Sequence, residues 1–160
     1  MRYFEDIRVG DADEIGQHTF TAEEIKSFAQ RFDPQLFHVD EAAAGRSHFG
    51  ALCASGWHTA AVWMRLMVDH TRRAVEEQRA RGEPVAAFGP ALGFRDLKWL
   101  KPVYVGDTIA YRSEVVEARA SASRPGSGLL TIRSTGTNQN GDLVISFVST
   151  TLIERRPEEP

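Results

Sequence analysis

Two side chains that can exchange protons, Asp33 and His38, lie close together in the segment from Phe32 to Asp40. Histidine is the side chain best suited to proton exchange near neutral pH, and a nearby carboxylate can fix its tautomer or share the work on a bound water. The pair therefore suits proton transfer without a metal. The same spacing also allows a structural role, in which His38 hydrogen-bonds the turn and Asp33 caps nearby amides.

The segment Ala54-Ser55-Gly56 is a second chemical feature, because it opens the longest predicted helix. The first amides of a helix have no intrahelical acceptor and carry the positive end of its dipole, so they can polarise a carbonyl oxygen. If Gly56 N–H faces Asp33 and His38, it can stabilise the enolate formed when water adds across an adjacent double bond. The alternative is a plain helix start, with glycine present for packing against the sheet.

A helix over Ala22–Phe32 is predicted to carry Asp33 at its end. Thr21 and Glu24 form a capping box at its start. Pro34 ends it, because the residue before a proline is pushed out of the helical region. Asp33 is therefore expected just past the last turn, which is a rigid position for a carboxylate. Four apolar residues recur at helical spacing and are expected to pack on the core: Ile25, Phe28, Ala29 and Phe32.

The longest helix is predicted to start after the N-cap Ser55 and to run to about Arg81, where Gly82 stops it. Ala60–Val68 is apolar almost all round, which predicts that the first half is buried, whereas the polar residues from Asp69 onward predict that the second half emerges. Four residues of the first half are candidates to line a pocket for an acyl chain, although core packing alone accounts for them: Val62, Trp63, Leu66 and Met67.

The rest of the chain is rich in β-branched and aromatic residues, which are typical of strands. Asn140-Gly141 marks a tight hairpin, and Ser121–Gly128 is predicted to be a mobile loop. One largely buried helix with about five mostly hairpin-connected strands, and no alternation of strand and helix, predicts an α+β fold with an antiparallel sheet curled around the helix. The predicted strands are Glu14–Phe20, Leu92–Leu100, Thr108–Ala118, Leu129–Thr137 and Leu143–Ile153.

Composition limits the class of protein. A chain of 160 residues fits a single domain, expected to span residues 1–160. A net charge of −3 gives no basic stripe for a phosphate backbone, so nucleic acid is not an expected partner. The single cysteine, Cys53, and the lack of a secretory pattern at Met1–Asp6 favour the cytoplasm. The longest apolar run, Ala60–Val68, is too short for a membrane span, so none is expected.

The stretch Phe28–Trp57, FAQRFDPQLFHVDEAAAGRSHFGALCASGW, resembles the hydratase motif of the MaoC-like dehydratase family, which includes the (R)-specific enoyl-CoA hydratases. Lys101–Thr108 resembles the family's turn into a core strand, and the opening Tyr3–Ile7 is also similar. The resemblance implies a hot-dog fold, usually a homodimer, in which an antiparallel sheet wraps a long helix.

The resemblance also implies roles for particular residues. The family's catalytic aspartate falls on Asp33, its histidine on His38, and the glycine whose amide binds the thioester oxygen on Gly56. The common Asp-x-Asn-Pro-x-His pattern is altered, because Gln35 stands in place of the asparagine and Leu36 in place of the proline. These departures concern the geometry of the turn and the choice of substrate.

The activity implied is reversible hydration of a trans-2-enoyl thioester to an (R)-3-hydroxyacyl thioester in fatty acid metabolism. The substrate would be carried on coenzyme A or acyl carrier protein, with no cofactor beyond the coenzyme A of the substrate. Rival interpretations are a hot-dog acyl-CoA thioesterase and a non-catalytic acyl-binding or assembly subunit. Basic candidates for contacts to the coenzyme A phosphates are Arg46, Arg95, Lys98 and Lys101.

A metal site built from His38, Asp40 and His48 matches no standard ligand spacing, so no metal is expected. The remaining histidines have no partner that the sequence identifies. We interpret them as structural or surface residues: His18, His48, His58 and His70.

Overall fold

The computed structural model describes residues 1–157 of the chain. Its helices are α1 (Ala22–Phe32), α2 (Leu36–Val39), α3 (Glu41–Gly45) and α4 (Gly56–Ala80), after a short 3-10 turn at Phe4–Asp6. Its strands are β1 (Ala12–Thr19), β2 (Phe88–Trp99), β3 (Thr108–Ala120), β4 (Ser127–Thr137) and β5 (Leu143–Glu154). The strands form a five-stranded antiparallel sheet in the order β1-β3-β4-β5-β2. The predicted α+β architecture is confirmed.

The turns between strands agree with the sequence patterns in most respects. At the predicted hairpin, Gly141 has a φ of +83° and its N–H donates to the carbonyl of Asn138 at 3.0 Å. The loop expected over Ser121–Gly128 is shorter than predicted, because Ser121 N–H donates to the Ser127 carbonyl at 3.0 Å and β4 begins there. β2 also begins earlier than predicted, at Phe88 rather than Leu92.

The main core lies between the sheet and helices α1 and α4. Trp63 of α4 packs edge-on against Phe147 of β5, with ring centroids 4.6 Å apart. The buried hydroxyl of Tyr111, on β3, donates to the Thr59 carbonyl of α4 at 3.0 Å. Apolar packing and this hydrogen bond together fix the first half of α4 on the sheet.

Helix α1 has the predicted bounds, and its capping box is present, with Thr21 and Glu24 bonded reciprocally. Ile25 and Ala29 are fully buried, as the helical spacing predicts. The prediction is wrong for Phe32, which is exposed. Phe32 lies in the last turn, where its ring packs against Phe28 of the same helix instead of the core.

Helix α4 also has nearly the predicted bounds, but it is not buried all round. The sheet and α1 cover one face, on which His58, Thr59 and Trp63 are buried, while Met64 and Val68 are exposed on the opposite face. The prediction of an enclosed first half is therefore wrong for the single chain, because a one-layer sheet covers only one side of a helix. No helix of residues 1–157 is long and apolar enough to cross a membrane.

Candidate active site

Asp33 sits where the sequence predicts, immediately after α1. Its N–H donates to the Ala29 carbonyl at 2.9 Å, closing the last turn, and its backbone then leaves the helical region before Pro34. The side chain is consequently held by the end of a helix and points away from the helical hydrogen-bond ladder.

His38 lies in the short helix α2 rather than in an irregular turn, and its ring is 5% exposed. Nδ1 lies 2.7 Å from the carbonyl oxygen of Cys53. Because a carbonyl oxygen can only accept a hydrogen bond, Nδ1 carries the proton in the neutral ring and Nε2 carries the lone pair. The fold thus selects the tautomer in which Nε2 can act as a base.

The two side chains converge. His38 Nε2 and Asp33 Oδ2 are 3.5 Å apart, at the outer limit for a direct hydrogen bond. A water molecule beside the pair can donate one hydrogen bond to each of these two atoms. The geometry therefore suits a carboxylate and an imidazole that act on the same water.

Two donors hold the Asp33 carboxylate. Ser55 Oγ donates to Oδ2 at 2.7 Å, and Gln35 Nε2 donates to Oδ1 at 2.8 Å. Burial raises the pKa of Asp33, but these hydrogen bonds and the nearby His38 outweigh it, so the pKa lies below its usual value. Asp33 is therefore ionised at neutral pH.

Ser55 is a site residue that the sequence patterns did not identify as one. It is the N-cap of α4, as the sequence predicts, and its Oγ accepts a hydrogen bond from Trp57 N–H at 3.2 Å. The same oxygen donates its own proton to Asp33, so one hydroxyl ties the start of α4 to the end of α1. Spacing did not reveal this contact, because the two residues are far apart along the chain.

Gly56 is the first residue of α4, and its N–H has no acceptor within residues 1–157. The indole of Trp99 lies directly on Gly56, with Nε1 only 2.5 Å from the position that a Cβ would occupy. Glycine is therefore required here by packing. Its N–H is also available to a substrate. The two interpretations of Gly56, as a packing glycine and as a donor to the thioester oxygen, are therefore compatible.

A cavity of about 490 Å³ joins these groups. Asp33, His38, Ser55 and Gly56 lie along its polar side. The remaining wall is mainly apolar and comes from α2, the segment before α4, the first turn of α4, the end of β2 with the residues after it, and the start of β5. These residues are Phe37, Phe49, Trp57, Trp99, Leu100, Pro102, Val103 and Val144. The shape combines proton-transfer groups with room for an apolar substrate.

The residues expected to line an acyl pocket are not in this wall. Trp63 is buried in the core, and the other three pack against that core: Val62, Leu66 and Met67. Only the first turn of α4, at Gly56–Thr59, faces the cavity. The four residues follow it along the helix and pack in the core. None of these four residues lines the cavity of Asp33 and His38.

Among the basic candidates, Lys101 alone lines this cavity within the described residues, and its Nζ is paired with Asp142 at 2.6 Å. Arg95 pairs with its neighbour Asp96 at 3.4 Å. Arg46 and Lys98 are exposed at other points of the surface. The structure thus brings one of the four cations to the site.

The remaining titratable groups near the site play no evident part in proton transfer. Burial lowers the pKa of His58 to about 4, and its ring stacks on Phe28 at 4.5 Å. Burial raises the pKa of the Cys53 thiol to about 11, so it is not a thiolate at neutral pH. Within residues 1–157, no three His, Cys, Asp or Glu side chains are grouped so that they could hold a metal ion.

The MaoC like domain model matches residues 11–137, so the chain belongs to the MaoC-like dehydratase family. The resemblance seen in the sequence is confirmed. The crystal structure of the MaoC-like dehydratase from Rhodospirillum rubrum is 37% identical and superposes with a TM-score of 0.82, covering 99% of this chain and 100% of that one.

Two more distant structures share the fold. An (R)-hydratase from Pseudomonas aeruginosa, 20% identical, superposes with a TM-score of 0.67 over 99% of this chain and 93% of that one. A conserved hypothetical protein from Mycobacterium tuberculosis with a double hot-dog fold, 21% identical, superposes with a TM-score of 0.70 over 99% of this chain and 46% of that one. The fold is therefore the hot-dog fold.

One curated relative is the mesaconyl-CoA hydratase of Cereibacter sphaeroides, which is 37% identical over 65 residues. The matched segment covers 41% of this chain and 19% of that protein. The chain thus aligns with about a fifth of this relative's length.

Proposed function

We propose that the protein is a hydratase that reversibly adds water to trans-2-enoyl thioesters and forms (R)-3-hydroxyacyl thioesters. The observation that carries this proposal is the convergence of three groups in one cavity: an ionised carboxylate at Asp33, a histidine with a free Nε2 lone pair at His38, and an unpaired helix amide at Gly56. Membership of the MaoC-like dehydratase family and the match to a mesaconyl-CoA hydratase support it.

In the proposed reaction, a water molecule beside the pair donates one hydrogen bond to Asp33 Oδ2 and one to His38 Nε2. His38 Nε2 takes one proton as the water oxygen forms a bond to C3 of the enoyl group, and the double-bond electrons move onto the thioester oxygen. Gly56 N–H stabilises that oxygen. His38 then returns the proton to C2, so one molecule of water has been added across the bond.

Asp33 acts in this scheme as an orienting and charge-stabilising group. Its lowered pKa makes it a weak base, whereas its negative charge favours the imidazolium that forms on His38. Ser55 and Gln35 position the carboxylate through its two oxygens. Because acid and base both come from side chains, we propose that no cofactor is needed beyond the coenzyme A of the substrate.

The carrier of the acyl group is proposed to be coenzyme A, which is part of the name of the mesaconyl-CoA hydratase relative. Lys101 is the proposed phosphate contact, since it lines the cavity and can exchange Asp142 for a phosphate. A cytoplasmic location is proposed because the buried Cys53 is a free thiol, as is usual in reducing compartments.

We also propose a homodimer joined through β2. Within the described sheet, β2 is an edge strand that pairs only with β5, and its side chains Leu92 and Phe94 are exposed. An exposed apolar edge is a template for pairing with another strand. The double hot-dog fold of the Mycobacterium tuberculosis protein, which joins two such units in one chain, supports this arrangement. Light scattering should give twice the chain mass, and Leu92→Glu should give the monomer.

The decisive experiment incubates the purified protein with trans-2-enoyl-CoAs of short, medium and long chain length. We expect the absorbance of the conjugated double bond to fall, the product to be the (R)-3-hydroxyacyl-CoA by chiral chromatography, and no free thiol to appear. Asp33→Asn is the matched control, because it keeps the shape of the side chain and removes its charge.

Two outcomes would overturn the proposal. Release of free coenzyme A with loss of the thioester would identify a thioesterase. Saturable binding of acyl-CoA by calorimetry, without turnover of any chain length, would identify a non-catalytic acyl-binding subunit.

A further inference from the structure

We infer that the indole N–H of Trp99 is a second hydrogen-bond donor to the thioester oxygen, beside Gly56 N–H. This inference rests on the proposed hydration, because it assigns a further residue to the same site. Trp99 comes from β2, far from the sequence motif that contains Asp33, His38 and Gly56.

The backbone of Trp99 is fixed by its pairing with β5. Trp99 is in register with Ile145 across the β2–β5 ladder, and the next residue, Leu100, donates its N–H to the Val144 carbonyl at 2.8 Å. Trp57 packs edge-on against the Trp99 ring, with centroids 5.1 Å apart. The indole is therefore positioned by a strand and by a neighbouring aromatic ring, although it remains 45% exposed.

The indole nitrogen lies close to the amide of Gly56. Trp99 Nε1 is 2.5 Å from the position of a Gly56 Cβ. Since the nitrogen and the Cβ of one residue are about 2.5 Å apart, the two nitrogens are separated by at most about 5 Å. An oxygen atom that accepts both hydrogen bonds at about 2.9 Å fits between donors at this separation.

Both nitrogens can only donate, and neither has an acceptor within residues 1–157. Both residues also line the cavity of Asp33 and His38. Trp63 makes a useful contrast, since its Nε1 also lacks a partner but is buried in the core, away from that cavity. Trp57 also lines the cavity, but Trp99 is the tryptophan whose Nε1 lies against Gly56.

Two donors match the chemistry better than one. Negative charge develops on the thioester oxygen as water adds to C3, and donors fixed in advance stabilise that charge without reorganising. Removal of one such donor from an oxyanion site lowers kcat by about 100-fold to 1,000-fold in enzymes where it is buried. Because Trp99 is half exposed, we expect a smaller loss, of about 10-fold to 50-fold.

The test is Trp99→Phe, which keeps an aromatic ring over Gly56 and removes the N–H. Steady-state kinetics with an enoyl-CoA should show the loss in kcat, with KM changed by less than about 3-fold, because the donor acts on charge that develops in the transition state. Binding of a saturated acyl-CoA, measured by calorimetry, should be nearly unchanged. Trp63→Phe is the matched control and should keep wild-type kcat, because that ring lies in the core.

A second variant, Trp99→His, keeps a ring N–H at this position and should retain more of kcat than Trp99→Phe. Circular dichroism and thermal midpoints establish that each variant is folded. If folded Trp99→Phe keeps wild-type kcat or exceeds it, Trp99 is not a donor, while the hydratase proposal stands. If the wild-type protein hydrates no enoyl thioester, the hydratase proposal fails and this inference falls with it.

Discussion

Two buried histidines flank the start of α4, and they differ in almost everything except burial. His38 is 5% exposed and His58 is 7% exposed. His38 has a carbonyl partner on Nδ1 and a carboxylate and a cavity beside Nε2. His58 lies between the rings of Phe20 and Phe28, and its Nδ1 has no partner within residues 1–157.

The difference shows that burial by itself does not prepare a histidine for catalysis. Around His58 the charged form is disfavoured because aromatic rings replace water, so burial lowers its pKa to about 4 although the Glu24 carboxylate acts in the opposite direction. Around His38 the Cys53 carbonyl fixes the tautomer, and the ionised Asp33 can stabilise a proton on Nε2. Polar partners, rather than depth, separate the candidate base from the structural ring.

Replacement of the two histidines should therefore have very different effects on activity. His38→Gln removes the proposed base, and kcat for enoyl-CoA hydration should fall by about 100-fold to 10,000-fold, the usual range for loss of a general acid or base. His58→Phe keeps the aromatic packing and should leave kcat within about 3-fold of wild type.

The measurement is kcat at saturating substrate, together with circular dichroism to show that both variants are folded. Similar losses in the two folded variants would remove the distinction drawn between the histidines. Retention of most activity in His38→Gln would show that His38 is not the base.

The hydrogen bonds that hold Asp33 beside His38 can be removed one at a time. Ser55→Ala removes the 2.7 Å hydrogen bond to Asp33. A hydrogen bond to a charged group contributes about 2 kcal/mol, which sets an upper limit of roughly 30-fold on the expected fall in kcat. Because that bond favours the ionised carboxylate, its loss should also raise the pKa of Asp33. A 13C NMR titration of the Asp33 carboxyl should consequently show its ionisation at higher pH than in the wild type.

Ser47→Ala is the control for Ser55→Ala. Ser47 Oγ donates to the Ala44 carbonyl at the end of α3, outside the cavity, and its removal should not change the ionisation of Asp33. The Ser55 variant also loses the N-cap of α4, which costs about 1 kcal/mol of stability, so its thermal midpoint must be measured as well. An unchanged ionisation of the Asp33 carboxyl in folded Ser55→Ala would show that Ser55 does not tune Asp33.

Much of the site around Asp33 and His38 could be predicted from sequence, because the helix ends that carry its residues are determined by nearby residues in the chain. The capping box at Thr21 and Glu24 and the stop at Pro34 place Asp33 to the residue, and both depend on neighbours only a few positions away. Ser55 marks the start of α4 for the same reason. The motif between Phe28 and Trp57 then identified the family, as its match to residues 11–137 confirms.

The parts that could not be predicted depend on distant elements. The Ser55–Asp33 hydrogen bond joins two helices, and the Trp99–Gly56 contact joins a strand to a helix. Neither contact leaves a periodic pattern in the chain. The open face of α4 at Met64 was also missed, because apolar composition alone does not reveal how many sides of a helix are covered.

The smallest expected effect concerns His58 and stability rather than activity. Its pKa is about 4 in the folded protein, compared with about 6.5 in an unfolded chain. As pH falls below about 6.5, the unfolded chain takes up a proton that the folded protein refuses, so stability decreases until the pH reaches about 4. Between pH 7 and pH 5.5, His58 should lower the free energy of unfolding by about 1 kcal/mol.

His58→Phe should remove that part of the pH dependence, because phenylalanine keeps a ring against Phe28 but cannot take up a proton in either state. Urea denaturation at pH 7 and pH 5.5 measures the difference, and the fall in unfolding free energy should be about 1 kcal/mol smaller in the variant than in the wild type. His48→Phe is the control, since His48 is exposed and its replacement should leave the wild-type pH dependence in place. An equal fall in wild type and His58→Phe would mean that His58 accepts its proton within the folded protein, and the contrast with His38 would then no longer hold.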